Sequence, residues 1–174
     1  LPGPVLDMVR IARSNTERLI RLINDILDLE KMEVGKAELR LQPVDVAEVV
    51  EATLAGVRGM ADTAKVELRA QTGGAGQVRA DRDRLIQVLT NLVSNALHYS
   101  PPGTPVRVRT VGEPEACMLE VHNEGPPIAP DLLPRLFQPF ERGGLASRNC
   151  NFGGLGLGLA IARALVELHG GTLS

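Results

Sequence analysis

The sequence predicts an α+β fold, a mixed sheet with helices stacked on one face, preceded by one long helix. Three observations predict it. Residues 4 to about 33 carry one unbroken helical period; beyond Gly35, short strand-like runs and helix-like runs alternate; and 105–111 and 117–122 alternate apolar and polar side chains as a hairpin does.

The first helix is defined by Val5, Met8, Ala12, Asn15, Leu19, Leu22, Ile26 and Leu29, spaced alternately by three and four as in a coiled-coil or bundle seam. Val9, Ile20, Ile23 and Leu27 add a second stripe, which suits a helix packed on several neighbours. A helix of about 30 residues runs ~45 Å, so its apolar face wants a second helix and a symmetry mate. Asn15 either sets register on the seam or marks a bundle end. Gly35 closes the helix.

After it, Leu39-Arg40-Leu41 reads as a short strand, and Pro43 and Asp45 open a helix to about Ala64. Val66–Leu68 and Val78–Ala80 read as strands separated by a glycine-rich turn at 73–76. Asp81 is placed to cap a helix from Arg82 to about His98, which Pro101-Pro102-Gly103 breaks. A short helix is expected near Asp131–Leu136, an irregular stretch over 141–153, and a last helix over about Leu155–Leu168.

Composition narrows the function. Of 174 residues 44% are hydrophobic and 23% charged, with a formal net charge of −2, which argues against a basic nucleic-acid surface. No apolar run approaches a membrane span, and no signal peptide opens the chain. Cys117 and Cys150 are too few for a disulfide framework and lack metal-ligand spacing, so a reducing, cytoplasmic setting is expected. Arg148 alone lies near enough in sequence to lower the pKa of Cys150, which is read as incidental. The chain opens at Leu1 and stops at Ser174, just past Gly170-Gly171-Thr172-Leu173, which reads as a turn entering a strand; a fragment of a longer protein, with its C-terminal strand cut short, is expected. Aromatic residues are restricted to Tyr99, Phe137, Phe140 and Phe152, so each occupies a position where a ring is of particular use.

Three segments carry chemistry. On the helix from Arg82, Leu85, Val88, Leu89, Leu92, Val93 and Ala96 form a buried stripe, while Gln87, Asn91, Asn95 and His98 recur along another face. Carboxamide oxygens are hard, neutral ligands suited to Mg²⁺ held mostly by phosphate and water. On the helix alone, the plainer reading is that Asn91 and Asn95 bond nearby loops. Asn123, leaving a strand ahead of Gly125, Pro126 and Pro127, is placed either to read the edge of a base or to make a tight turn. Gly154, Gly156 and Gly158 precede an amphipathic helix, where bare backbone amides and a helix N-terminus favour an anion such as phosphate over a mere hinge. The spacing fits neither a dinucleotide fingerprint nor a P-loop.

In this order the segments resemble the sensor histidine kinases of two-component systems, within the Bergerat-fold ATPases (an α/β sandwich). Asp83–Ser100 resembles the family's N box, Asn123–Ile128 its G1 box, Leu136–Phe140 its F box and Gly154–Leu159 its G2 box, with His169-Gly170-Gly171 closing the pattern. Residues 1–34, ending in Leu22–Leu29, resemble the second helix of the dimerisation and histidine-phosphotransfer domain, and 35–174 the catalytic ATP-binding domain.

The resemblance implies ATP and Mg²⁺ as cofactors, with Asn95 coordinating the metal and Asn91 supporting it. It implies Tyr99 packed on the nucleotide, His98 reaching phosphate, and Asn123, Gly125 and Ile128 around the adenine. Phe137 and Phe140 anchor a lid over 141–153, Arg142 contacts phosphate, and Gly154, Leu155, Gly156, Leu157 and Gly158 close over the phosphates. The implied reaction moves the ATP γ-phosphate to a histidine outside the fragment, for relay to a response regulator's aspartate, in a homodimer formed through the first helix. His98, His122 and His169 lack the acceptor's setting; His122 and His169 are read as structural, and the acceptor helix is expected upstream of Leu1.

Two positions depart from the family. Its adenine-reading aspartate is Asn123, which can still accept but without charge assistance, so adenine binding is expected to persist and weaken. Its second G1 glycine is Pro127, which removes an amide. They support a rival reading, a degenerate pseudokinase acting as a dimeric scaffold; the N, F and G2 boxes oppose it. A gyrase-type or chaperone-type ATPase is opposed by the long two-stripe helix.

Overall fold

The computed structural model describes residues 3–35, 37–74, 76–112, 116–141 and 156–174. The chain divides into two compact units, Leu1–Ala37 and Glu38–Ser174.

The first unit is helix α1 (Gly3–Glu33). Gly35, at φ +66°, donates its N–H to the Met32 carbonyl at 3.0 Å, a left-handed ending that glycine adopts without a Cβ clash. Both expected stripes are exposed along α1: Met8 at 71%, Leu19, Ile20, Ile23, Ile26 and Leu27 all present apolar surface, while Leu22 and Leu29 are half-buried.

The second unit begins with β1 (Gln42–Asp45) and α2 (Val46–Ala64). Asp45 caps α2 by accepting the Ala47 N–H at 2.8 Å. Val46, Val49, Val50, Thr53, Val57 and Ala61 bury one face of α2, spaced as a helix requires. Then come β2 (Glu67–Gly73), β3 (Gln77–Ala80), α3 (Arg82–Tyr99), β4 (Pro105–Gly112), β5 (Cys117–His122), a 3₁₀ turn (Leu133–Arg135) and α4 (Gly158–Leu168).

The sheet is mixed. Parallel pairing sets β2 beside β4, with Leu68 opposite Val106, and antiparallel pairing sets β5 on the other side of β4, with Val108 opposite Val121. Period two then sorts β4: Val106 and Val108 are buried under α2 and α3, while Arg107 and Arg109 sit on the other face, 3.3 Å from Glu124 and Glu120. Those exposed pairs contribute little. The core is almost wholly aliphatic, with Val49, Val50, Val57, Leu89, Val93, Val106 and Val108 at its centre. Burying each such side chain is worth about 1.5–3 kcal/mol.

Several boundaries differ from the sequence reading. The expected strand at Leu39–Leu41 lies instead at Gln42–Asp45, so Pro43 belongs to a strand and α2 starts only after Asp45. Pairing with β3 sets Val44 against Val78 and buries Val44 to 4%, whereas Leu41 stays 47% exposed and the Arg40 N–H is drawn to the Asp81 carboxylate. Strands β1 and β3 form a separate two-stranded sheet. The helix expected over Asp131–Leu136 is a single 3₁₀ turn, and α4 starts at Gly158 because Gly156 is left-handed at φ +77°.

Candidate functional site

Helix α3 is the platform, and Asp81 holds its start. One carboxylate oxygen accepts the Arg84 N–H at 3.2 Å and the other accepts the Arg40 N–H at 2.9 Å. Burial pushes the Asp81 carboxyl up, but backbone bonds from Arg40, Arg84 and Asp83 and the Arg84 charge outweigh it and hold the carboxyl below its ordinary value. The Asp81 N–H donates to His169 Nε2 at 3.0 Å, and His169 Nδ1 lies 2.7 Å from the Leu165 carbonyl, to which it donates in the matching tautomer. A single imidazole thus ties the end of α4 to the start of α3, which gives His169 its structural role. His122 is exposed at the end of β5.

Fixed in this way, α3 presents Leu92, Asn95 and Ala96 to a cavity of about 150 Å³. Val121 and Asn123 enter from the end of β5, Leu136 and Phe137 from the 3₁₀ region, Leu159 from α4, and Leu173 and Ser174 from the segment beyond it. Sites for whole drug-sized ligands run from about 300 Å³ upward, so this cavity suits one flat ring of a larger molecule. A second hollow of about 310 Å³, between the ends of β2 and β4, contains none of the expected site residues.

Glycines let the walls approach. A Cβ on Gly125 would fall 2.5 Å from the Tyr99 carbonyl oxygen and 2.6 Å from Asn123 Nδ2, so the turn leaving β5 lies directly on the end of α3. A Cβ on Gly158 would fall 3.5 Å from the Asn91 carboxamide, which brings the start of α4 against α3. Asn91 Nδ2 is buried there without a hydrogen-bond partner, a cost a native site normally offsets with a ligand or water. The Phe140 N–H donates to the Gly156 carbonyl at 3.1 Å, with both residues left-handed, so the chain just after the 3₁₀ turn is joined to the start of α4. Arg135 pairs with Glu141 at 3.3 Å beside this clasp, and the Arg163 guanidinium lies 5.6 Å from the centre of the Phe137 ring.

Of the residues singled out from sequence, the cavity brings together Asn95, Asn123 and Phe137. Asn91 lies one turn earlier on α3, against Gly158, and Gly125 supports the turn. His98 and Tyr99 lie outside the described lining and meet edge to face at 4.9 Å. Ile128 and Phe140 are exposed, at 47% and 64%, while Leu157 is buried at 1% and offers backbone alone. Arg142, Gly154, Leu155 and Cys150 fall outside the described residues. Sequence reasoning missed Leu92, Ala96, Val121, Leu136, Leu159, Leu173 and Ser174 as lining. Leu92 and Ala96 flank Asn95 at three residues before and one after, a signal masked by their assignment to the core stripe.

Among the described residues no three His, Cys, Asp or Glu side chains cluster as a metal site. Asn91 Nδ2 is the orphaned atom, and the hard carboxamide oxygens of Asn91 and Asn95 fit a magnesium ion that takes most of its oxygens from a bound phosphate.

Residues 80–174 match the family described as histidine kinase-, DNA gyrase B- and HSP90-like ATPase. The chain is 40% identical to Histidine protein kinase DivJ of Caulobacter vibrioides, covering 98% of this chain and 29% of that protein. It is 35% identical to the circadian input-output histidine kinase CikA of Synechococcus elongatus, covering 96% of this chain and 22% of that protein. The chain thus spans less than a third of either relative. Among solved structures, full-length ShkA in complex with AMPPNP superposes with a TM-score of 0.80 at 26% identity, covering 98% of this chain and 35% of ShkA. Acinetobacter baumannii AdeS superposes with a TM-score of 0.75 at 28% identity, covering 96% of this chain and 75% of AdeS.

Proposed function

This chain belongs to the histidine kinase-, DNA gyrase B- and HSP90-like ATPase family, and we propose that it works as the ATP-binding catalytic part of a sensor histidine kinase. In the proposed reaction the bond from the γ-phosphorus to the β-bridging oxygen breaks, leaving ADP, and a bond forms to an imidazole nitrogen of a histidine outside this chain. A response regulator aspartate then receives the phosphoryl group. One observation carries the reading: Asn95 on α3, Asn123 after β5 and Leu159 on α4 line a single cavity.

The residues divide the work. Asn123 meets the edge of the base, and Leu92, Val121, Leu136 and Phe137 enclose its faces. Asn95, with Asn91, holds Mg²⁺, and the bound metal neutralises phosphate charge. The start of α4 turns backbone amides toward anionic oxygens at Gly156–Gly158, next to Asn91. The bond between Phe140 and Gly156 supports a lid over 141–153, carrying Arg142 and followed by Gly154, that excludes water until the acceptor arrives. Catalysis is then mostly positioning and charge stabilisation. The exposed stripes of α1 support a homodimer through that helix. Among the described residues no helix is long and apolar enough to cross a membrane, and dependence on ATP supports a cytoplasmic setting.

The test supplies the missing helix. Mixing the chain with a histidine-bearing dimerisation domain and γ-labelled ATP is expected to label the histidine, and Asn95→Ala is expected to abolish labelling without unfolding. Retained Mg·ATP binding with no transfer sinks the kinase reading. The neutral Asn123 and the amide lost at Pro127 favour a second reading, a scaffold pseudokinase, which an absence of binding at millimolar ATP would establish.

A further inference from the structure

We infer that Asn123 makes the base site indifferent to whether a purine carries an amino or an oxo group at its 6-position. The inference rests on the nucleotide reading of the cavity. Among its described lining, seven residues are apolar and Asn95, Asn123 and Ser174 are polar and uncharged. Nothing there selects a base by charge, so selection falls to hydrogen bonding at the ring edge.

The Asn123 side chain is half-buried and makes no hydrogen bond or ion pair among the described residues. Its Nδ2 occupies the space that a side chain on Gly125 would take, so the amide has room to sit at the cavity wall because residue 125 is glycine. A carboxamide shows one acceptor and one donor side by side. A 6-aminopurine offers a donor at N6 and an acceptor at N1; a 6-oxopurine offers an acceptor at O6 and a donor at N1. The same amide complements either edge after a half-turn about its Cβ–Cγ bond, a torsion that is broad and roughly two-fold. An ionised carboxylate at this position accepts only; it suits the amino edge and opposes the O6 lone pairs.

Binding of ADP and IDP to the whole chain tests this, by calorimetry with Mg²⁺ in both titrations. The two diphosphates differ only at the 6-position and N1, and neither donates a γ-phosphate. The expected ratio of their dissociation constants is within about tenfold, the worth of one neutral hydrogen bond. Asn123→Asp is expected to widen the ratio in favour of ADP by at least about tenfold. A wild-type preference for ADP of about a hundredfold or more, or a ratio unchanged in Asn123→Asp while ADP still binds, overturns the inference and leaves the nucleotide site standing. Failure of both nucleotides to bind wild type removes the nucleotide reading and this inference together.

Discussion

Along α1, Met8 is 71% exposed and Ile23 56%, whereas along α3 Leu89 and Val93 are buried to within about one per cent. Both helices carry apolar residues at the same three-four spacing. On α3 that stripe meets α2 and the sheet, and the polar residues beside it are delivered to a cavity. On α1 most described residues of the two stripes are exposed, with Leu22 and Leu29 half-buried. Period therefore identifies a helix, but the fate of its apolar face depends on which neighbours the chain supplies.

Substitutions at four positions probe the contrast, taken from the largest expected effect down. Leu89→Ala, in the packed stripe, is expected to cost about 2–5 kcal/mol in urea unfolding, since a void opens where neighbours cannot collapse; a cost under about 1 kcal/mol would place the residue outside a rigid core. Gly125→Ala forces a Cβ against the Tyr99 carbonyl and the Asn123 amide. It should cost about 1–3 kcal/mol by overpacking, and nucleotide affinity should fall with it. An alanine tolerated in both assays would mean that the turn after β5 does not rest on α3.

Asp81→Ala removes the α3 cap and the Arg40 bond together, with an expected loss of about 0.5–2 kcal/mol at neutral pH. Its dependence on acid sharpens the point. The folded carboxyl lies below its ordinary value, so its stabilisation is present above the unfolded value of about 3.9 and disappears as pH falls through the folded one. Stability curves of wild type and Asp81→Asn should therefore converge below about pH 4; a constant gap down to pH 2 would assign the loss to something other than charge. Ile23→Ala, on the open face of α1, should change unfolding by less than about 0.5 kcal/mol where the chain is monomeric. A larger loss at that dilution would show that the stripe is already covered within one chain, and sedimentation at higher concentration reports whether a second copy covers it.

Elements whose cause is local were legible. Gly35 ends α1, Asp81 caps α3, and the 105–122 hairpin pairs as its alternation predicts. Elements decided by a remote partner were not. Leu39–Leu41 has as good a strand pattern as Gln42–Asp45, and the choice between them depends on β3, some 35 residues later. The 3₁₀ turn at Leu133–Arg135 is too short to leave a period.

The candidate site divides the same way. Asn95 and Asn123 stand out in the sequence because carboxamides in a helix and after a strand call for a reason. Leu92 and Ala96 share the same cavity but read as core, since an apolar side chain lining a cavity and one facing a neighbour have the same chemistry. Nor does sequence show that His169 joins α4 to α3 across 88 residues, because a lone histidine beside a glycine turn has many uses.

What the sequence by itself determined was the long helices, the 105–122 hairpin, and the family to which the ordered asparagines and glycines point, since these follow from side-chain period, backbone freedom and donor chemistry within a few residues. Tertiary structure alone decided which strands pair, which apolar faces are covered and which side chains share the cavity, because those depend on distances between segments that are far apart along the chain.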